Sequence, residues 1–146
     1  MPIKSFRGLI ANGGIDQISL RTNTGSTGYR IKKIAIIGQE PGQETVELVL
    51  KVYKIPQTTA DNAVDFSDST LLGVAYLLDS DSTSNTQGET IIFDNEVFNQ
   101  DVFVTAVDVS GSARATNYYI ELEQIKLSLD QNTVATLKDI RNIIQE

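Results

Sequence analysis

Cysteine, histidine and tryptophan are all missing from the 146-residue chain. Without Cys there is no disulfide, no thiol nucleophile and no thiolate metal site. Without His the chain lacks the side chain most used for proton transfer near neutral pH and the commonest metal ligand. A Ser-His-Asp triad, a Cys-His dyad and the usual zinc sites are therefore excluded, leaving carboxylates, Lys, Tyr or borrowed groups for any catalysis. Also absent is an apolar run of about 18 residues, so no segment reads as a membrane-spanning helix. The N-terminus, Met1-Pro2-Ile3-Lys4-Ser5-Phe6-Arg7, passes straight into alternating sequence and lacks the apolar stretch of a secretory signal. The expectation is a protein made in the cytoplasm, which stays there or leaves by assembly or lysis.

What is present suits one folded domain over residues 1–146, with 40% hydrophobic residues and ten aromatics, five Phe and five Tyr, to anchor a core. The net charge of −7 is unevenly spread. Residues 1–54 hold eight Lys or Arg and four Asp or Glu, whereas Ile55 to Ala113 hold ten acidic residues and no basic one. An acidic chain repels phosphate backbones, so nucleic acid is not expected as a partner. The acidic middle reads as solvated loops, or as a surface matched to a basic partner or a cation.

The dominant hydrophobic period is two. Val46, Leu48, Leu50 and Val52 alternate with Glu47, Val49, Lys51 and Tyr53, which describes a strand with one face in a core. Ile34 and Ile36 follow the same rule, as do Val102, Val104 and Ala106, then Tyr118, Ile120 and Leu122. The phase slips near Glu123-Gln124, as it would at a β-bulge. Further strands are expected over Ile3 to Ala11, Ile15 to Arg21, Leu71 to Leu78 and Glu89 to Phe93, with turns at Asn12-Gly13-Gly14, Asn23-Thr24-Gly25, Pro41-Gly42, 79–88 and Ser110-Gly111-Ser112. The pattern predicts an all-β fold: a single β-sandwich of about eight strands, with loops long enough for jelly-roll-like wiring. One C-terminal α-helix is expected over about 131–145, where Val134, Leu137, Ile140 and Ile144 recur at helical spacing. Asp130 or Asn132 would cap it. That stripe needs a surface, either an open end of its own sandwich or a second subunit, and it supplies the candidate oligomer contact.

Several constellations invite a chemical reading. Asp79-Ser80-Asp81 is the best cation candidate, but it lacks the Gly and the distant Glu of an EF-hand loop and reads as a polar hairpin tip. Asp61, Asp65 and Asp68 have helical spacing in a stretch whose Pro56, Thr58, Thr59, Ser67 and Ser69 look like a loop. Glu121 and Glu123 share a strand face, roughly 7 Å apart by strand geometry. Paired carboxylates can run glycoside hydrolysis; lying opposite Ile120 and Leu122, they read instead as a solvent-exposed face. Gly25-Ser26-Thr27-Gly28 is followed by Tyr29-Arg30 and a strand, which fails the P-loop pattern, and an anion held between Arg21 and Arg30 is less expected than a hairpin turn. No catalytic residue, cofactor or metal ligand is assigned.

Whole phrases carry a resemblance. Lys4-Ser5-Phe6-Arg7-Gly8-Leu9-Ile10, Val64-Asp65-Phe66-Ser67-Asp68-Ser69-Thr70-Leu71-Leu72-Gly73, Ile92-Phe93-Asp94-Asn95-Glu96-Val97-Phe98-Asn99-Gln100-Asp101 and the ending from Tyr118-Tyr119-Ile120-Glu121-Leu122-Glu123 to Leu137-Lys138-Asp139-Ile140-Arg141 resemble small virion proteins of tailed phages from marine and freshwater hosts. The similarity covers most of the chain. It implies a non-enzymatic particle component such as a capsid decoration (cement) protein, located in the virion. The implied partners are the major capsid protein or another virion protein and further copies of the chain itself, a homo-oligomer with a trimer as the implied form. A neck or tail component, or a carbohydrate or host-surface binding module on the same particle, is the competing expectation.

Overall fold

The computed structural model describes residues 3–20, 26–80, 86–93 and 96–127, and they form an all-β sandwich. Eight strands follow in chain order: β1 (Ile3–Ile10), β2 (Gly14–Ile18), β3 (Thr27–Gly38), β4 (Val46–Tyr53), β5 (Leu71–Asp79), β6 (Thr86–Ile92), β7 (Val102–Asp108) and β8 (Thr116–Lys126). They make a three-stranded sheet in the order β1-β8-β3 and a five-stranded sheet in the order β2-β7-β4-β5-β6, with every pairing antiparallel. Among the described residues there is no helix; the expected helix over 131–145 lies outside them.

Period-two alternation explains the core. Leu48, Leu50 and Val52 of β4, Val102, Val104 and Ala106 of β7, and Ile120 and Leu122 of β8 are all at most 1% exposed. Each Leu, Ile or Val among them contributes roughly 1.5–3 kcal/mol by leaving water. Ile34, Val46 and Tyr118 are buried as expected, whereas Ile36 is only half-buried at the rim. Gly73 of β5 makes room for a side chain of the facing sheet: a Cβ there would meet Ile34 Cδ1 at 2.7 Å. Of the turns, Gly13 and Gly111 take φ of +77° and +97°, left-handed backbone that glycine adopts without a side-chain penalty.

The expected bulge is displaced. The register shift falls between Ile31 and Lys33 of β3, opposite Leu122 and Glu121, so the extra residue lies on the strand facing β8, while the β1–β8 ladder runs without a shift. Lys32 is the inserted residue. It resets the phase from buried Tyr29 and Ile31 to buried Ile34. Beside β3, Tyr29 exchanges backbone hydrogen bonds with Phe98 (2.7 and 2.9 Å) and the two rings stack at 6.3 Å, closing that flank of the sandwich.

Candidate functional site

Antiparallel register decides which side chains share the outer face of the three-stranded sheet. Opposite residues form four rows across it: Leu9, Asn117 and Ile37; Arg7, Tyr119 and Ala35; Ser5, Glu121 and Lys33; Ile3, Glu123 and Arg30. Among the described residues, three of the six large hydrophobic side chains that are strongly exposed lie here, Ile3 (53%), Leu9 (51%) and Ile37 (58%). Arg7, Gly8, Ile37, Asn117, Tyr118 and Tyr119 line an open hollow of about 440 Å³. The Tyr119 hydroxyl donates to Glu121 at 2.8 Å, and this bond raises its pKa. Lys33 Nζ stands 5.8 Å from the Tyr119 ring. Glu123 is held between Arg30 (3.0 Å) and Lys32 (3.6 Å). The face thus combines apolar side chains with an aromatic ring and cations, the mixture found where surfaces meet partners.

A second apolar spot lies on the long β4–β5 connection, which has neither helix nor strand from Lys54 to Thr70. Phe66 is 58% exposed and packs edge-on against Phe93, with ring centroids 5.4 Å apart. Both rings border a hollow of about 100 Å³ shared with Asp68, Ser69, Leu71 and Glu96.

The sequence-predicted carboxylates are not brought together. Asp61 accepts from Lys51 at 2.7 Å; Asp65 accepts from the Ser67 N–H and hydroxyl, and Asp68 from those of Thr70, turning the backbone locally. The helical spacing of these three residues is therefore incidental to a loop. Asp79 accepts from the Gly42 N–H at 3.2 Å, while Asp81 lies outside the described residues. Among the described residues no group of three acidic side chains is placed to hold a metal ion. Glu121 and Glu123 do share a face, but both are engaged, and the Glu123 side chain is only 13% exposed. Arg30 serves Glu123; Arg21, its expected companion, and the stripe Val134, Leu137, Ile140 and Ile144 fall outside the described residues.

Sequence reasoning missed a set of buried ionic groups. Lys51, on the outward-pointing phase of β4, is 2% exposed because the β4–β5 connection folds over it. Its ammonium donates to Asp61 and to the Ala63 carbonyl (2.6 Å). Burial pulls its pKa down, but hydrogen bonding to Asp61 and Tyr53 outweighs that and raises it. Lys54 is equally buried, with Nζ 3.3 Å from Glu96. Asp108 accepts from the N–H groups of Glu47, Ser110 and Arg114 and from the Ser110 hydroxyl. The Tyr118 hydroxyl reaches Asp16 at 3.1 Å, and burial together with that carboxylate pushes its pKa up to about 12. The signal available was the run of Lys51 and Lys54 just before ten acidic residues: basic strand ends and acidic loops pair within the chain.

No protein-family model matches the chain. No curated protein matches it in sequence either.

Proposed function

We propose that the chain is a non-enzymatic virion structural protein, a capsid decoration (cement) protein that stabilises the shell by binding the major capsid protein and copies of itself. The observation that carries this reading is the outer face of the β1-β8-β3 sheet, where Ile3, Leu9 and Ile37 stand in water among Arg7, Lys33 and Tyr119. An isolated domain gains nothing from exposing them, whereas a subunit covers such a face on assembly. The resemblance of the four sequence phrases to phage virion proteins supplies the setting. The finer fold reading, a jelly roll with a C-terminal helix, belongs to the same proposal. Its supports are the strand order β1-β8-β3 and the run β2-β7-β4-β5 within the five-stranded sheet, both shared with a jelly roll, and the helical spacing from Val134 to Ile144; β6 departs from that wiring, pairing with β5 where a jelly roll sets it beside β3.

Immunogold labelling of purified particles with antibody to this chain tests the proposal. Regular decoration of the shell is expected, and particles stripped of the protein should rupture at lower temperature and recover when it is added back. Unlabelled particles would sink it. A second reading, a carbohydrate or host-surface module, draws on the hollow that Tyr118 and Tyr119 line. A glycan array giving a specific signal lost in Tyr119→Ala would favour it.

A further inference from the structure

We propose that β1 is a self-pairing edge, through which two copies join antiparallel about a two-fold axis centred on Phe6. The proposal rests on the reading of the chain as an assembly subunit and names the surface that assembles. β1 ends its sheet: it pairs with β8 on one side, and among the described residues no strand pairs with the other. Five of its eight residues are exposed and none is Pro; its charged residues, Lys4 and Arg7, are what a pairing register has to accommodate. Unpaired N–H and C=O groups along eight residues form a template for another strand.

Register selects the partner. A two-fold axis normal to the sheet keeps each side chain on its own face, so a residue faces one of the same parity. Centring on Phe6 places Ile3 against Leu9, Lys4 against Gly8, and Ser5 against Arg7 of the second copy. Every cation then meets an uncharged, small side chain, and the two most exposed apolar residues of the strand cover each other. Centring on Arg7 stacks that residue on itself, and centring on Ser5 sets Ile3 against Arg7 and shortens the overlap. The inner face adds charge complementarity. A Cβ on Gly8 would lie 2.9 Å from the Tyr118 hydroxyl, which itself contacts Asp16. Lys4 of the second copy therefore meets the Tyr118 ring that fills the space over Gly8, whose hydroxyl is bonded to the Asp16 carboxylate. The joined sheet runs β3-β8-β1-β1-β8-β3 and doubles the apolar outer face offered to the shell. Such a contact closes on itself and gives an even-numbered assembly in place of the trimer that the resemblance implies.

The chain has no cysteine, so engineered pairs read the register directly. Ile3→Cys and Leu9→Cys proteins, mixed and mildly oxidised, should give a disulfide-linked heterodimer, whereas neither alone should cross-link, because only the 3–9 pair is within disulfide reach. Sedimentation of the wild type at high micromolar concentration should show a dimer or a multiple of it. Ser5→Arg, which sets two like-charge pairs face to face, should weaken it roughly tenfold, and Ser5→Glu should tighten it. Residue 5 also faces Glu121 within its own sheet, so dilute melting temperatures should move the opposite way, up slightly for Ser5→Arg and down slightly for Ser5→Glu, marking the change in dimer strength as one of association. A monomeric wild type overturns both this pairing and the homo-oligomer reading. An oligomer without the 3–9 cross-link, or one in which Ile3→Cys links to itself, overturns the edge pairing alone.

Discussion

At the scale of single residues, the buried polar groups divide into satisfied and unsatisfied, with opposite consequences. Asp108 is 6% exposed and collects four hydrogen bonds that hold together the end of β7, the start of β4 and the turn at Ser110. Burial pushes its pKa up, but the bonds from Ser110, Arg114 and Glu47 prevail and hold it below the ordinary range. A carboxylate depressed in the folded state stabilises the protein above its unfolded pKa, about 3.9, and loses that contribution as pH falls through the folded value. Asp108→Asn should therefore cost about 1–3 kcal/mol at pH 7. The gap from wild type should close as pH drops below the ordinary carboxylate range, which urea titrations across pH will read. Thr105 is the opposite case. It is 1% exposed, and its hydroxyl has no hydrogen-bond partner among the described residues. Thr105→Val removes an uncompensated polar atom at constant shape, so chemical denaturation should show unchanged or higher stability, by up to about 1–2 kcal/mol.

At the scale of elements, the β4–β5 connection behaves as a strap tied by Lys51. Among single changes, stranding the cation should hurt more than deleting it, because an unpaired buried charge keeps its desolvation cost. Lys51→Met should leave stability within about 1 kcal/mol of wild type, and Asp61→Ala should cost about 1–2 kcal/mol, tempered by the exposure of Asp61. Limited proteolysis should cut 55–70 faster in Asp61→Ala, and the double variant should return towards Lys51→Met. If Lys51→Met is the worse of the two, the strap is held by the ion pair rather than burdened by it. The same element shows why sequence alone misplaced this lysine. Strand alternation put Lys51 on the solvent phase of β4, and only the return of the chain over that phase buried it.

For the whole molecule, topology dominates. β1 pairs with β8, so residues 3–10 find partners at 116–123, and the core needs strands from both ends of the described chain. Contacts of such long sequence separation must be closed before they stabilise anything, so folding should take milliseconds to seconds in one cooperative phase. Stopped-flow tyrosine fluorescence, unobscured because the chain has no Trp, will measure it. Microsecond folding, or β8 exchanging its amides long before β4, would show that the sandwich is not one cooperative unit.

The sequence by itself determined the strands and the inward phase of β4, β7 and β8, because a period of two in apolar residues is dictated by the pleat and needs no knowledge of the neighbours. It also determined the turns at Gly13 and Gly111 and excluded the chemistry of Cys and His. Tertiary structure decided the rest. It moved the bulge from β8 to Lys32, because a phase slip read along one strand is resolved wherever the pair accommodates it more easily. It joined Asp108 and Tyr118 to groups far along the chain, Glu47 and Asp16, and folded the β4–β5 connection back to bring Asp61 to Lys51. It also gathered Ile3, Leu9, Ile37, Arg7 and Tyr119 onto one face, since which residues share an outer face depends on register between strands, and register is set only when both sheets pack.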